Sequence, residues 1–300
     1  MTDPMPSPPR RTRRSQSLVR RERRTGLLFI APAFAMIAIF VLIPGIGAIS
    51  LSTTSWFLVG APTFVGLENY VDIFTDSAFG QSLLVTFEVA LGVAIPGALL
   101  ALVLALLLTK VGRSASLYQT IVYLPLVVPS VVSSIIWGAM YVGNGVINSL
   151  FNVDIRWLTQ PGWAVVSILM LMIWTNVGYY TILVFAGLQD LPKEVIEAAS
   201  MDGAGAVQRF RYIVFPLIRP VLLFVSVIAT TDALTLFVQP YLLTQGGPGG
   251  ATQTLSLFIY QTAFSFGNVG RASAMAVVLL AIAIAFAVFQ FRVLRSSDDD

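Results

Sequence analysis

Apolar residues in this chain run in long continuous blocks. Six of them, at about 26–50, 83–108, 121–141, 163–187, 217–238 and 272–292, reach the roughly 20 residues that an α-helix needs to cross a hydrocarbon core about 30 Å thick. The stretches 89–109, 114–153, 157–189, 233–270 and 272–291 hold no charged residue at all. A membrane β-barrel would show period-two alternation instead. The pattern therefore predicts an all-α polytopic membrane protein with about six transmembrane helices. Pro32, Pro44, Pro96, Pro125 and Pro129 fall inside the blocks, as membrane helices tolerate better than soluble ones. The segment 252–264 is apolar but short, and it reads as a re-entrant or surface helix, with a seventh crossing as the other reading.

Composition agrees. Three hundred residues would make about two soluble domains on length alone, but the chain is 56% hydrophobic and 11% charged. A soluble domain carries about 25% charged residues, and the mean hydropathy here is +0.82. With no cysteine and no histidine, disulfides, thiolate metal sites and imidazole acid–base chemistry are all excluded. No close pair of carboxylates at helical spacing and no metal-ligand cluster supports an enzyme. An ion-coupled transporter needs several intramembrane acids or histidines. This chain offers only Asp232 and Glu88, with Glu88 placed near the outer, wetted end of its span, and no inverted repeat is visible.

The basic residues set the orientation. With the N-terminus inside, 16 Lys and Arg fall on the inner side and only Arg156 and Arg271 outside. The positive-inside rule thus puts both termini in the cytoplasm. Residues 1–25 are rich in Pro, Arg and Ser and predict a disordered cytoplasmic tail. Its Arg cluster reads as a topogenic signal that touches anionic lipid, not as a nucleic-acid site. The main domain covers 26–295, and 296–300 form an acidic cytoplasmic end.

Between the fourth and fifth spans lies the longest polar segment, 188–216. Pro192 suits a helix start, and Lys193 to Ala199 are good helix formers. Gly203 and Gly205 permit a turn that ends this helix. Gln208 to Val214 resumes as an amphipathic helix, and Pro216 and Pro220 mark entry into the membrane. A short helix held by two spans could transmit force from a soluble partner, or it could be an ordinary loop helix.

At this point the residues resemble a family. Glu197, Ala198 and Ala199, then Asp202, Gly203 and Ala204, followed by Phe210, Ile213, Pro216 and Pro220, are similar to the EAA loop of binding-protein-dependent ABC importers. Phe64, Val65, Gly66, Leu67, Glu68, Asn69 and Tyr70, just after the first span, narrow the likeness to the carbohydrate permeases of the maltose and glycerol-phosphate type. So do Leu243, Thr244, Gln245, Gly246, Gly247 and Pro248, followed by Thr252 and by Tyr260 to Phe264. The resemblance spans about 27–292. Apart from this likeness, Asn69, Asp72 and Asp76 read as solvated-loop residues.

The resemblance implies a type I importer permease fold in a bacterial cytoplasmic membrane, with a second homologous permease, an ATPase dimer and an extracytoplasmic binding protein as partners. Glu197 would face basic residues of the ATPase. Ala198 and Ala199 would allow close approach and Gly203 would form the turn, with Asp202 and Ala204 completing the ATPase-coupling set. The chain has no phosphate-binding G-x-x-x-x-G-K-[ST] loop, and the Gly267 to Gly270 stretch is no dinucleotide fingerprint. ATP and Mg therefore belong to the partner, the chain carries no cofactor of its own, and it is not an enzyme. The expected cargo is a mono-, di- or oligosaccharide. The alternative is the same fold serving glycerol-phosphate, a polyamine or another solute.

Polar side chains inside membrane helices face the bundle interior or a water-filled cavity. Asp232, Thr235 and Gln239 fall on one face of the fifth span at helical spacing. The fourth span offers Trp174, Asn176, Tyr179 and Tyr180. The third offers Ser130, Ser133, Ser134 and Trp137. Aromatic faces with amide and carboxylate acceptors suit sugar rings, so these are the substrate-path candidates. Serines on membrane helices also bond back to their own backbone, and the aromatics also serve as packing.

Overall fold

The computed structural model describes residues 25, 26, 28–111 and 115–295. The predicted tail before Thr25, Arg113 and the acidic end 296–300 lie outside the described residues. The chain divides into two units, residues 1–50 and 51–300.

The first unit is one apolar helix, α1 (Leu28–Ser52), whose last two residues open the second unit. It widens at Ala38–Leu42 into a π turn, in which the Ile43 N–H donates to the Ala38 carbonyl. Pro44 explains the widening. Its ring has no N–H and collides with the carbonyl four residues back, and a wider turn moves that carbonyl aside.

The second unit starts with a hairpin, β1 (Thr54–Phe57) and β2 (Val59–Phe64), followed by the short helix α2 (Glu68–Thr75). Asn69 is buried there, not solvated. Its Nδ2 donates to the Ser52 and Thr54 carbonyls at 2.8 and 2.9 Å, and the Tyr70 hydroxyl lies 2.7 Å from Ser52 Oγ. Asp76 also departs from the solvated-loop reading. Its carboxylate caps the next helix at the Ala78 N–H and pairs with Arg271. Asp72 is exposed as expected.

Three long helices form the body: α3 (Ser77–Lys110), α7 (Pro161–Gln189) and α9 (Ala206–Leu234). One core joins Val85, Val89 and Val93 of α3 to Ile168 and Met172 of α7 and to Ala233 and Leu234 of α9. A second joins Ala94, Ala101 and Ala105 to Tyr180, Val184, Val225 and Ala229. Lipid tails are as apolar as these side chains, so burial alone gives little drive, and the alanines act by letting the helices approach closely.

The third predicted span is not straight. It is two helices, α4 (Ala115–Val127) and α5 (Ser130–Met140), bent by 94° at the break between them. Pro129 caps α5, and a proline disfavours helical backbone in the residue before it, so the chain turns at Val128. Gly178 of α7 fixes α4 in place, since any Cβ there would overlap the Val122 carbonyl.

The remaining elements are short: α6 (Val146–Phe151), α8 (Lys193–Met201), α10 (Val238–Leu243) and α11 (Leu255–Tyr260), before the last long helix α12 (Val269–Arg295). The 252–264 block is thus too short to cross, and α11 is packed inside the protein. Leu255 joins Ile73, Phe79 and Met275 in a third core. Among the described residues, five helices and the bent α4–α5 pair are long and apolar enough to span a membrane.

Candidate functional site

Two regions carry the candidate residues. The first is the turn between α8 and α9. Helix α8 ends in a Schellman arrangement. The Ala204 N–H donates to the Ala199 carbonyl at 3.0 Å, and the Gly203 N–H to the Ser200 carbonyl at 3.2 Å. Gly203 sits at φ +82°, which is why glycine stands there. Helix α9 restarts at once: the Gly205 N–H donates to Gln208 Oε1 at 2.9 Å, satisfying one of the free donors of a helix start. Arg209 bonds to Ser200 Oγ and pins the two helices together.

Of the predicted coupling residues, Glu197, Ala198, Asp202 and Gly203 are exposed and Ala199 and Ala204 half-buried. Asp202, Gly203, Ala204, Gln208, Tyr212 and Ile213 line a hollow of about 420 Å³ beside the turn. Sequence reasoning missed the apolar tip: Met201 is 89% exposed and Val207 79%. Met201 closes α8 and Val207 is the second residue of α9, so an apolar residue on either side of the Gly203–Gly205 turn was the available signal. Beyond the tip, α9 contains its own π turn at Phe210–Val214, closed by the Phe215 N–H donating to the Phe210 carbonyl. Pro216 follows, just as Pro44 follows the π turn of α1.

The second region is a hollow of about 400 Å³ near the far end of α9. It is lined by the α4–α5 break (Leu126 to Ser130), by Met172, Thr175 and Asn176 of α7, and by Asp232, Thr235 and Leu236 to Gln239. The expected single face of Asp232, Thr235 and Gln239 is corrected here. Helix α9 stops at Leu234, and Gln239 lies on the separate helix α10. The break has a cause in the loop behind it, because Thr254 Oγ1 donates to the Leu236 carbonyl at 2.8 Å. Thr252 in turn holds the glycine-rich loop, bonding to the Gly247 carbonyl and lying 2.6 Å from Thr244 Oγ1. The three polar residues still meet, through the break and not along a continuous face.

Several hydrogen-bond donors of the hollow are already used. Asn176 Nδ2 donates to the Met172 carbonyl, Thr175 Oγ1 to Leu171 and Thr235 Oγ1 to Thr231. The side chains therefore present mainly acceptor oxygens. Among the described residues the one ion pair is Asp76–Arg271, so the Asp232 carboxylate faces the hollow without a cation. An ionised carboxylate only accepts hydrogen bonds, so this site fits a solute rich in hydroxyl or ammonium donors.

The other candidates lie elsewhere. Ser133 and Ser134 bond back to the Ser130 carbonyl, as the packing alternative holds. Trp137 stacks edge-on against Trp174 with ring centres 5.5 Å apart. Tyr180 is fully buried against the α3–α9 core, and Tyr179 is half-buried beside it. None of these lines the hollow. Four aromatics that the sequence reading only partly flagged, Phe237 in the wall of the hollow with Tyr241, Tyr260 and Phe264, form a cluster with neighbouring ring centres 4.8–5.4 Å apart.

Comparison with known proteins agrees with this architecture. The family model for the inner membrane component of binding-protein-dependent transport systems matches residues 97–297. The probable ABC transporter permease protein YesP of Bacillus subtilis is 36% identical over 274 residues, 88% of each chain. The trehalose/maltose transport system permease protein MalF of Thermococcus litoralis is 32% identical over 286 residues, 93% of this chain and 96% of that one. In structure, the chain shares its fold with a bacterial ABC transporter involved in import of the acidic polysaccharide alginate. That match has a TM-score of 0.80 and 23% identity over 93% of this chain and 99% of the other. The chain is a multi-pass inner-membrane protein and belongs to the binding-protein-dependent transport system permeases.

Proposed function

We propose that this permease imports a neutral sugar, handed over by an extracytoplasmic binding protein, and that a partner ATPase dimer drives it through the α8–α9 turn. A second, homologous permease completes the pathway. The observation that carries the coupling part is the turn itself: a backbone-locked corner with exposed Met201 and Val207. Met201 and Val207 on this corner offer apolar surface that a protein partner would cover. ATP and Mg sit on the ATPase, and the Lys/Arg distribution places the turn and both termini in the cytoplasm.

Sugar as cargo rests on the relative named for trehalose and maltose and on the hollow around Asp232, Asn176, Thr235 and Gln239. An uncompensated Asp232 disfavours glycerol-phosphate or any other anion. It also supports a second reading, a polyamine, because ammonium groups satisfy a carboxylate as well as hydroxyls do. The test is a mild-detergent purification of the tagged chain, wild type beside Gly203→Trp, with partners identified by mass spectrometry. An ATPase and a second permease should co-purify with the wild type and weaken in the variant. A chain that purifies alone in both forms sinks the coupling reading. Screening the co-purified binding protein with neutral sugars and polyamines separates the two cargo classes.

A further inference from the structure

Helix α11 is only six residues long, yet three consecutive residues at its start bond out of it. Thr254 Oγ1 donates to the Leu236 carbonyl at 2.8 Å, and Ser256 Oγ to the Leu234 carbonyl at 3.4 Å. Both carbonyls lie where α9 stops, and a helix end leaves such carbonyls without partners of its own. The Leu255 N–H points the other way. It donates to Thr86 Oγ1 of α3 at 2.8 Å, across 169 residues of sequence. Thr86, Thr254 and Leu255 are all fully buried.

The polarity of these bonds is fixed, because a hydroxyl has one proton to give. Thr86 gives its own to the Ser82 carbonyl at 2.7 Å, four residues back on α3, which leaves a lone pair for Leu255. Thr254 spends its proton on Leu236 and accepts the Leu257 N–H at 3.4 Å. A cap residue serves the second or third N–H of its helix, as Thr254 does, so the first N–H of α11 depends on Thr86. Threonines on membrane helices commonly bond back to their own helix, but the second bond of Thr86, to a distant backbone amide, goes beyond that. The packing of Leu255 against Ile73, Phe79 and Met275 is non-directional and does not set how far α11 sits along its axis. The bond to Thr86 does, because hydrogen bonds weaken steeply away from their preferred line.

We infer that Thr86 is a positioning residue for the hollow around Asp232, although it lines no part of that hollow. It fixes α11 to α3, α11 holds the Leu234 and Leu236 carbonyls, and the break so held gathers Asp232, Thr235 and Gln239. The acceptors offered to a solute are therefore set against α3, whose Val85 and Val89 also pack with Ala233 and Leu234. Without this tether α10 drifts from the end of α9, and Gln239 is no longer held in the wall. The inference rests on the reading of this hollow as the solute site.

The chain has no cysteine of its own, which makes the test direct. Gln239, 6% exposed, is replaced by Cys in the full chain in nanodiscs, and its labelling by a small water-soluble methanethiosulfonate is timed. Adding Thr86→Val, which keeps the side-chain shape and removes the acceptor, should speed labelling about tenfold, the effect of one buried hydrogen bond on an opening equilibrium. Thr86→Ser should return labelling to its original rate. A second reporter, Thr181→Cys, is fully buried on α7 and does not line the hollow. It should label equally slowly with and without Thr86→Val, whereas a general loosening of the fold would speed both reporters. If the Val variant does not fold, Thr86→Ala leaves room for a water at the Leu255 N–H and should give the same acceleration. An unchanged rate at Gln239→Cys, an acceleration that Thr86→Ser does not reverse, or equal acceleration at both reporters would each overturn the proposal. The measurement uses neither ATP nor solute, so a failure of the positioning role and a failure of the solute reading are separate results.

Discussion

The α8–α9 turn is held almost entirely by its own backbone, whereas the hollow around Asp232 is assembled from four separate pieces of chain. The turn uses two Schellman bonds and one restart bond within the ten residues 199–208. The hollow needs the α4–α5 break, a turn of α7, the end of α9 and α10, and a loop 20 residues further on to keep them apart. The two are separated by roughly 40 Å of α9 helix. A region that must meet an outside partner in one fixed shape is local and self-sufficient. A region that must change as solute passes is distributed, so that small shifts of several helices alter it together.

That contrast sets the order of effects. Gly203→Trp should be the most damaging single change. At φ +82° any L side chain is strained by about 1–2 kcal/mol, and the bulk stands at the proposed ATPase contact. Uptake should fall to background while the chain still inserts in the membrane and loses no more thermal stability than that strain accounts for. Normal uptake by this variant would remove the turn from the mechanism.

Asp232→Asn comes next. Removing one charge-assisted acceptor, worth about 1.5–3 kcal/mol, should cut uptake of the neutral sugar about tenfold or more. The same variant should admit an acidic sugar that the wild type rejects, as measured by competition in whole-cell uptake. Asn69→Ala should act on stability instead. It removes the two hydrogen bonds to the Ser52 and Thr54 carbonyls at the foot of the hairpin, a cost of about 1–3 kcal/mol, read as a lower melting temperature in detergent with transport per folded molecule unchanged. Ser133→Ala should do least, within about 0.5 kcal/mol of wild type, because its hydroxyl serves only the Ser130 carbonyl. A strong transport defect there would enlarge the solute path beyond the hollow described.

The turn was largely legible in the sequence because its determinants are local. Pro192, Gly203, Gly205 and Pro216 each act on backbone within a few residues, and the helix boundaries fall where those residues put them. The spans were legible for the same reason, since a run of apolar residues needs no context. The hollow was only half legible. Asp232, Thr235, Gln239 and Asn176 do meet, but through a helix break set by Thr254, some 20 residues away, which no periodicity records. The buried place of Asn69 was not legible because its partners, the Ser52 and Thr54 carbonyls, are backbone groups 17 and 15 residues earlier, at the start of the hairpin. Pro125 and Pro129 announced a disturbance in the third block, yet not that it would become a 94° bend.

The π turn of α9 has a mechanical meaning. Force applied at Met201 and Val207 reaches the membrane along a shaft whose first full turn past the tip is its widest, with the Tyr212 carbonyl denied its usual partner by Pro216. A helix is stiff because every turn is closed by the same ladder of bonds, so the compliance of this one is concentrated at residues 210–214. On the proposed coupling, a stroke from the ATPase is taken up first as bending at that joint and only then as movement of the spans.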